Sequence, residues 1–171
     1  MKHSNLPHIS LKGYCQFVTF RTKDSVDEYL KKIENSFDNN KVKQYKIDSY
    51  LDSSTKGAYL NGEVLDLLKE YIFSKDRELF NLIAFAIMPN HIHILFEEIK
   101  ELSETMKLLK GGSSHKINKF LNQKGSFWSN DYYDKLIRDE KHFEVVYNYI
   151  KNNPIKAGLQ DVKERFYGIY E

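Results

Sequence analysis

Only one cysteine, Cys15, occurs in the chain, which excludes a disulfide framework and any zinc site built on thiolates. It sits in Tyr14-Cys-Gln-Phe-Val-Thr-Phe-Arg21, an apolar and aromatic segment, so it reads as a small buried hydrophobe. Proline and glycine are few as well, three and eight, and nowhere gathered into a linker. With no repeat and no low-complexity tract, residues 1–171 are expected to form one domain. No apolar run approaches the roughly 18 residues that a membrane span needs. The opening Met-Lys-His-Ser-Asn-Leu-Pro lacks the apolar core of a secretory signal. A cytoplasmic protein without a membrane partner is therefore the expectation. Formal net charge is only +2, so bulk charge announces no polyanionic partner. No Gly-x-x-x-x-Gly-Lys loop is present, which excludes that phosphate cradle.

Local charge says more than the total. Between Met106 and Lys124 stand Lys107, Lys110, Lys116, Lys119 and Lys124 with no acidic residue among them. Such a stripe suits a phosphate backbone, whose counterions it would release, and it equally suits a solvated helix face.

The order of elements follows from periodicity. Tyr14–Arg21 reads as a strand. Ser25-Val-Asp-Glu28 has capping-box spacing, and Val26, Tyr29, Leu30, Ile33 and Phe37 behind it form a helical stripe. Residues 38–56 are polar and turn-rich, which predicts a surface excursion with a short helical turn at most. A second stripe runs through Leu60, Val64, Leu67, Leu68 and Tyr71. Leu79–Met88 reads as a central strand, Pro89-Asn90 as a tight turn, and His91–Glu98 as its hairpin partner. Glu101–Lys110 is helical, Gly111-Gly112 breaks it, and a further helical stretch reaches about Asn122. A short strand, Tyr132–Arg138, and a final helix, Asp139–Asn152, close the pattern. This predicts an α+β fold: a ferredoxin-like βαββαβ core with an antiparallel sheet, an inserted N-terminal helical segment and an added C-terminal helix.

Two places carry chemistry. In His91-Ile92-His93 the strand period of two puts both imidazoles on one face and Ile92, Ile94 and Phe96 on the other. Two adjacent histidines on rigid backbone make half of a divalent-metal site, although the pair by itself also fits a half-exposed strand without a ligand. The third histidine of histidine-triad hydrolases is replaced by Leu95, and H-x-H-x-D-H is absent. In the last helix, at ~100° per residue, Phe143, Val146, Tyr147 and Ile150 form the buried stripe. Tyr149 and Asn153 lie together on its flank, one turn apart, with His142 on the same side. Pro154 is expected to end the helix at about Asn153.

Three blocks together resemble a known family. Met88-Pro-Asn-His-Ile-His93 is similar to the HUH signature, in which an apolar residue separates two metal-binding histidines. Phe127-Trp128-Ser-Asn-Asp-Tyr-Tyr-Asp134, followed by Ile137-Arg-Asp-Glu140, resembles a strand and helix start of REP-associated tyrosine transposases. Tyr149-Ile-Lys-Asn-Asn-Pro-Ile-Lys-Ala-Gly158 resembles that group's Tyr-Ile-x-x-Asn-Pro-Val-Lys-Ala-Gly block, with Ile155 in place of valine. These blocks span about half the chain, and the first third resembles nothing specific. The resemblance implies a single-tyrosine HUH transposase. His91, His93 and Asn153 would hold Mg²⁺ or Mn²⁺, and Tyr149 would be the nucleophile that forms a 5′-phosphotyrosine with single-stranded DNA.

Such a reaction suits these groups. A metal neutralises charge on the phosphate, and the covalent link conserves the phosphodiester's energy for rejoining. The DNA partner implied is single-stranded and hairpin-forming. Lys107, Lys110, Lys116, Lys119 and Arg138 are candidate phosphate contacts, and Trp128 is a candidate stacking platform. A monomer and a homodimer remain open. So do a non-cleaving hairpin-binding relative, a nuclease that uses water, and attack by Tyr132 or Tyr133.

Overall fold

A computed structural model describes residues 13–171. Five strands, β1 (Cys15–Arg21), β2 (Phe80–Ile87), β3 (His91–Glu98), β4 (Tyr133–Leu136) and β5 (Phe166–Gly168), form one sheet in the order β4-β1-β3-β2-β5. Every pairing is antiparallel. The first four have the ferredoxin-like order, and β5 extends the sheet beyond β2. The expected α+β architecture is thus present.

Strand alternation sends two sets of side chains to two cores. Val18, Phe20, Phe85, Ile87, Ile92, Ile94 and Phe96 meet α3 (Gly62–Ser74) and α4 (Leu102–Leu121) on one face. Phe17, Ala84, Ala86 and Leu95 meet α5 (Glu140–Lys156) on the other, through Val146, Tyr147 and Ile150. Ile150 is fully buried, a contribution of about 1.5–3 kcal/mol. A register shift between Leu82 and Ala84 marks a bulge, and Ile83 there joins Ala84 on the α5 side. A short α6 (Val162–Arg165) carries the buried Arg165, which donates to the carbonyls of Leu60 and Ile87.

Several local expectations are corrected. The first helix, α1, runs Glu28–Glu34, and its cap is Asp27, which accepts from Leu30 N at 2.9 Å. Ser25 belongs to a preceding 3₁₀ turn, and Phe37 is fully exposed rather than part of the stripe. Residues 38–56 hold a full helix, α2 (Asn40–Ser53), capped by the side chain of Asn39. Its apolar stripe is thin: only Ile47 and Leu51 are buried with it, against Leu30 and Ile33 of α1. Periodicity was too weak there to show, and tertiary contact stabilises the helix instead.

Gly111-Gly112 does not break α4, which is continuous. Gly112 is a packing residue: a Cβ there would lie 1.8 Å from the Tyr71 hydroxyl of α3. Nor does Pro154 end α5, which continues to Lys156 before Gly158 adopts φ +73°. Cys15 is half-buried at the edge of the α5-side core, where burial raises its thiol pKa.

Candidate active site

β3 pairs with β1 so that Thr19 stands opposite His93 and Arg21 opposite His91. Both histidines lie on the α5 side of the sheet with Leu95's neighbours, as the alternation predicts. They are not on an open surface, however: both are fully buried. The rings meet edge to face with centroids 4.8 Å apart. Burial lowers both pKa values, with the neighbouring His93 adding to the effect at His91, so neutral imidazoles are favoured.

Asn90 decides how His91 is protonated. Its Nδ2 donates toward the carbonyls of Leu51, Ser54 and Lys56 at 3.0, 3.2 and 3.4 Å. The amide oxygen is left facing His91 Nδ1 at 2.7 Å. That oxygen only accepts, so Nδ1 carries the proton and Nε2 presents a bare lone pair. His93 Nδ1 is likewise engaged, by the hydroxyl of Thr19 at 2.8 Å.

Helix α5 brings Tyr149 and Asn153 to this place. Because the helix passes through Pro154, Asn153 stays in register one turn after Tyr149. The Tyr149 ring packs edge-on against His93 at 5.3 Å and Phe17 at 6.0 Å. Burial raises the Tyr149 pKa far above its ordinary value, the charge of Asp48 raises it further, and a hydrogen bond with Asn153 opposes the shift.

Two acidic residues complete the cluster, and neither stands out in the sequence. Asp48 and Asp52 lie one turn apart on α2, within residues 38–56, where the sequence predicts a surface excursion. Tyr149 donates to Asp48 Oδ2 at 2.5 Å, and Gln44 Nε2 donates to Oδ1 at 2.8 Å. Asp48, His91 and His93 offer ligand atoms within 4.8 Å of one another. Asp52 Oδ1 lies 3.6 Å from His91 Nε2. Burial and then the charge of Asp48 push the Asp52 carboxyl up to about 7. The available signal was acidic spacing i, i+4 on a helix, but without the helix that spacing had no meaning.

A divalent cation fits these residues. His91 Nε2, His93 Nε2, Asp52 Oδ1 and Asn153 Oδ1 are all buried without a hydrogen-bond partner in the protein. Leaving a buried polar atom unsatisfied costs about 1–3 kcal/mol, and a cation held at the Asp48, His91 and His93 group would satisfy the histidine nitrogens among them. The donor set, imidazole nitrogen with carboxylate and amide oxygen, is one that can hold a divalent metal ion.

The profile of the IS200-like transposases matches residues 41–153, two thirds of the chain. The chain belongs to that family. The transposase match begins within α2, so the helix bearing Asp48 falls inside it. A Haemophilus influenzae protein provisionally named a REP-associated tyrosine transposase is 27% identical over 124 residues, 66% of this chain and 70% of its own. An uncharacterized protein of the same organism is 32% identical over 94 residues, 42% of this chain. The chain spans about half (52%) of that relative's length. Among solved structures, a REP-associated tyrosine transposase bound to a REP hairpin superposes with a TM-score of 0.58 at 18% identity, covering 95% of this chain and 79% of that one. At that identity the likeness establishes the fold. The expected resemblance is met.

The remaining candidates do not gather at the site. Trp128 is buried in the opposite core, against Phe20 and Phe127, and its Nε1 donates to Ser113 Oγ. It offers no face for a base, which corrects the stacking expectation. The lysines do not form one stripe either, because at ~100° per residue Lys116 and Lys119 fall on the far side of α4 from Lys107 and Lys110. Lys110 is an internal strut: its Nζ donates to the carbonyls of Ser129 and Asn130, and burial lowers its pKa to about 8. Lys107, Lys116, Lys119 and Arg138 are exposed. Tyr133 packs on Phe17, and Tyr132 lies under Lys110. No helix among the described residues is long and apolar enough to cross a membrane.

Proposed function

We propose that this chain, as one domain, cleaves and rejoins single-stranded DNA through a 5′-phosphotyrosine on Tyr149. The observation that carries the reading is the cluster itself. The Tyr149 ring packs on His93 and its hydroxyl donates to Asp48, which groups with His91 and His93, while His91 Nε2, His93 Nε2 and Asn153 Oδ1 are buried and unpartnered. His91, His93 and Asn153 are the residues that would hold Mg²⁺ or Mn²⁺. The bound ion would neutralise charge developing on the non-bridging phosphate oxygens.

Tyr149 Oη attacks phosphorus, an O–P bond forms, and the bond from phosphorus to the 3′-oxygen breaks. The strand end becomes a free 3′-hydroxyl, and the phosphodiester's energy is retained in the tyrosyl ester. A 3′-hydroxyl then reverses the step. Phe17 and His93 pack on the tyrosine ring and fix its direction, so attack costs little reorganisation. Lys107, Lys116, Lys119 and Arg138 supply exposed positive charge for backbone phosphates. The substrate class is hairpin-forming DNA, in keeping with the hairpin-bound structural neighbour.

The test is one denaturing gel. The protein is incubated with Mn²⁺ and a labelled pool of single-stranded hairpins, beside Tyr149→Phe and His91→Ala. A covalent protein–DNA adduct that requires metal, His91 and Tyr149 is the expected result. Cleavage that persists in Tyr149→Phe without an adduct would identify water as the nucleophile and end the phosphotyrosine reading.

A further inference from the structure

Asp48 reaches the site from an element outside the three blocks that carried the family resemblance. It is a buried residue on α2 whose carboxylate accepts two hydrogen bonds, one from Gln44 Nε2 on its own helix and one from the hydroxyl of Tyr149 on α5. The helix is held in place from both sides. Asn90 binds carbonyls at its C-terminal end and just beyond. The loop that follows is clamped where Thr22 Oγ1 donates to the carbonyl of Gly57. A Cβ on Gly57 would lie 2.3 Å from that hydroxyl, and its φ is +65°, so close approach and conformation both require glycine there. Lys156 of α5 lies over the Tyr45 ring of α2 at 5.3 Å. The Asp48–Tyr149 contact is therefore a joint between two anchored helices.

No other carboxylate among the described residues is shown on the Tyr149 hydroxyl. Asp52 faces His91 instead, and His93 Nδ1 is engaged by the Thr19 hydroxyl. A general base must lie within about 2.6–3.2 Å of the proton it takes, or closer when the bond is charge-assisted. Asp48 Oδ2 meets that requirement before any substrate arrives.

We propose that Asp48 is a catalytic residue of the strand-transfer reaction, the group that takes the Tyr149 hydroxyl proton on cleavage and returns it on rejoining. This rests on Tyr149 being the nucleophile. On cleavage, the Oη–P bond forms while the P–O3′ bond breaks. The phenolic proton moves to Asp48 Oδ2, and the departing 3′-oxygen is protonated from solvent. On rejoining, the O3′–P bond forms and the Oη–P bond breaks. The proton on Asp48 returns to Oη, and that of the attacking 3′-hydroxyl leaves to solvent.

The experiment compares wild type with Asp48→Asn and Asp48→Ala in single-turnover adduct formation on a hairpin substrate with Mn²⁺. Mn²⁺ binding is followed separately by electron paramagnetic resonance. Asparagine preserves the volume and the acceptor for Gln44 but takes no proton. Asp48→Asn is expected to bind Mn²⁺ within about threefold of wild type, as a folded site must, and to form adduct 10²–10⁴-fold more slowly. The defect should persist when sulfur replaces the 3′-leaving oxygen, because that change relieves protonation of the leaving group and not deprotonation of tyrosine. Added formate should restore Asp48→Ala in proportion to its concentration.

Wild-type adduct rates in Asp48→Asn would overturn the proposal. So would rescue by the sulfur leaving group, which would make Asp48 the acid. Loss of Mn²⁺ binding as severe as in His91→Ala would make it a metal ligand instead. Absence of any adduct in the wild type would overturn the nucleophile reading itself, a result distinct from all of these.

Discussion

Replacing Asn90 by alanine removes a fully buried carboxamide that serves two purposes at once. Its two N–H groups are shared among the carbonyls of Leu51, Ser54 and Lys56, and its oxygen accepts from His91 Nδ1. Counting about 1 kcal/mol net for each of three effective hydrogen bonds, plus about 1–3 kcal/mol for at least one orphaned carbonyl, predicts a loss of about 4–6 kcal/mol. That is a large share of the roughly 5–15 kcal/mol by which domains are stable. With the oxygen gone, the imidazole proton of His91 is free to move to Nε2, and Mn²⁺ affinity should fall 10–100-fold. Urea unfolding at 25 °C measures the first effect, and Mn²⁺ titration of the folded protein measures the second. Asn90→Asp separates them. Its carboxylate still accepts from His91 Nδ1 but turns an oxygen toward three carbonyls. Mn²⁺ affinity should then stay at or above wild type while stability falls at least as far as in the alanine variant. If Asn90→Ala binds Mn²⁺ like wild type, the argument that Asn90 sets the His91 tautomer is refuted.

Two further outcomes test the corrected roles. Trp128→Phe should cost about 1–2 kcal/mol by deleting the hydrogen bond to Ser113, and leave affinity for single-stranded DNA unchanged; a weakened affinity with unchanged stability would restore the stacking role. Lys110 has a folded pKa of about 8, below its ordinary 10.5, because burial penalises its charge. Between these values the unfolded chain binds more protons than the folded one, so this residue's contribution should grow more favourable as pH rises from about 8 toward 10. Urea midpoints at pH 7.5 and 9.5 should show this increment in wild type and not in Lys110→Met, and equal increments would refute it.

Much of the frame was legible because it rests on local periodicity. The run Leu79–Met88, the turn at Pro89-Asn90 and the alternation after it specify a hairpin with both histidines on one face, and the structure has that hairpin. The stripe Val146, Tyr147, Ile150 specifies the buried side of α5 and leaves Tyr149 on its flank. These are short-range consequences of strand and helix geometry, and a chain carries them wherever it folds. The three motif blocks added the family for the same reason, since they are contiguous.

What only the tertiary structure decided are contacts between distant segments. Asp48 and Tyr149 are 101 residues apart in sequence and share a hydrogen bond. Nothing in a polar, weakly amphipathic α2 announces that its acidic side is the inner one; Ile47 and Leu51 hold the helix only because α1 is there to receive them. Asn90 reads as a turn residue until α2 supplies the carbonyls that orient its amide. Pro154 and Gly111-Gly112 read as helix breakers by intrinsic propensity, which amounts to about 3 and 1 kcal/mol per residue. Packing outweighed both, with Asn153 and Pro154 buried in α5 and Gly112 admitting the hydroxyl of Tyr71. Intrinsic propensity is a property of a residue and its neighbours in sequence. The site is a property of where α2 and α5 close over the sheet, and that placement comes from long-range burial.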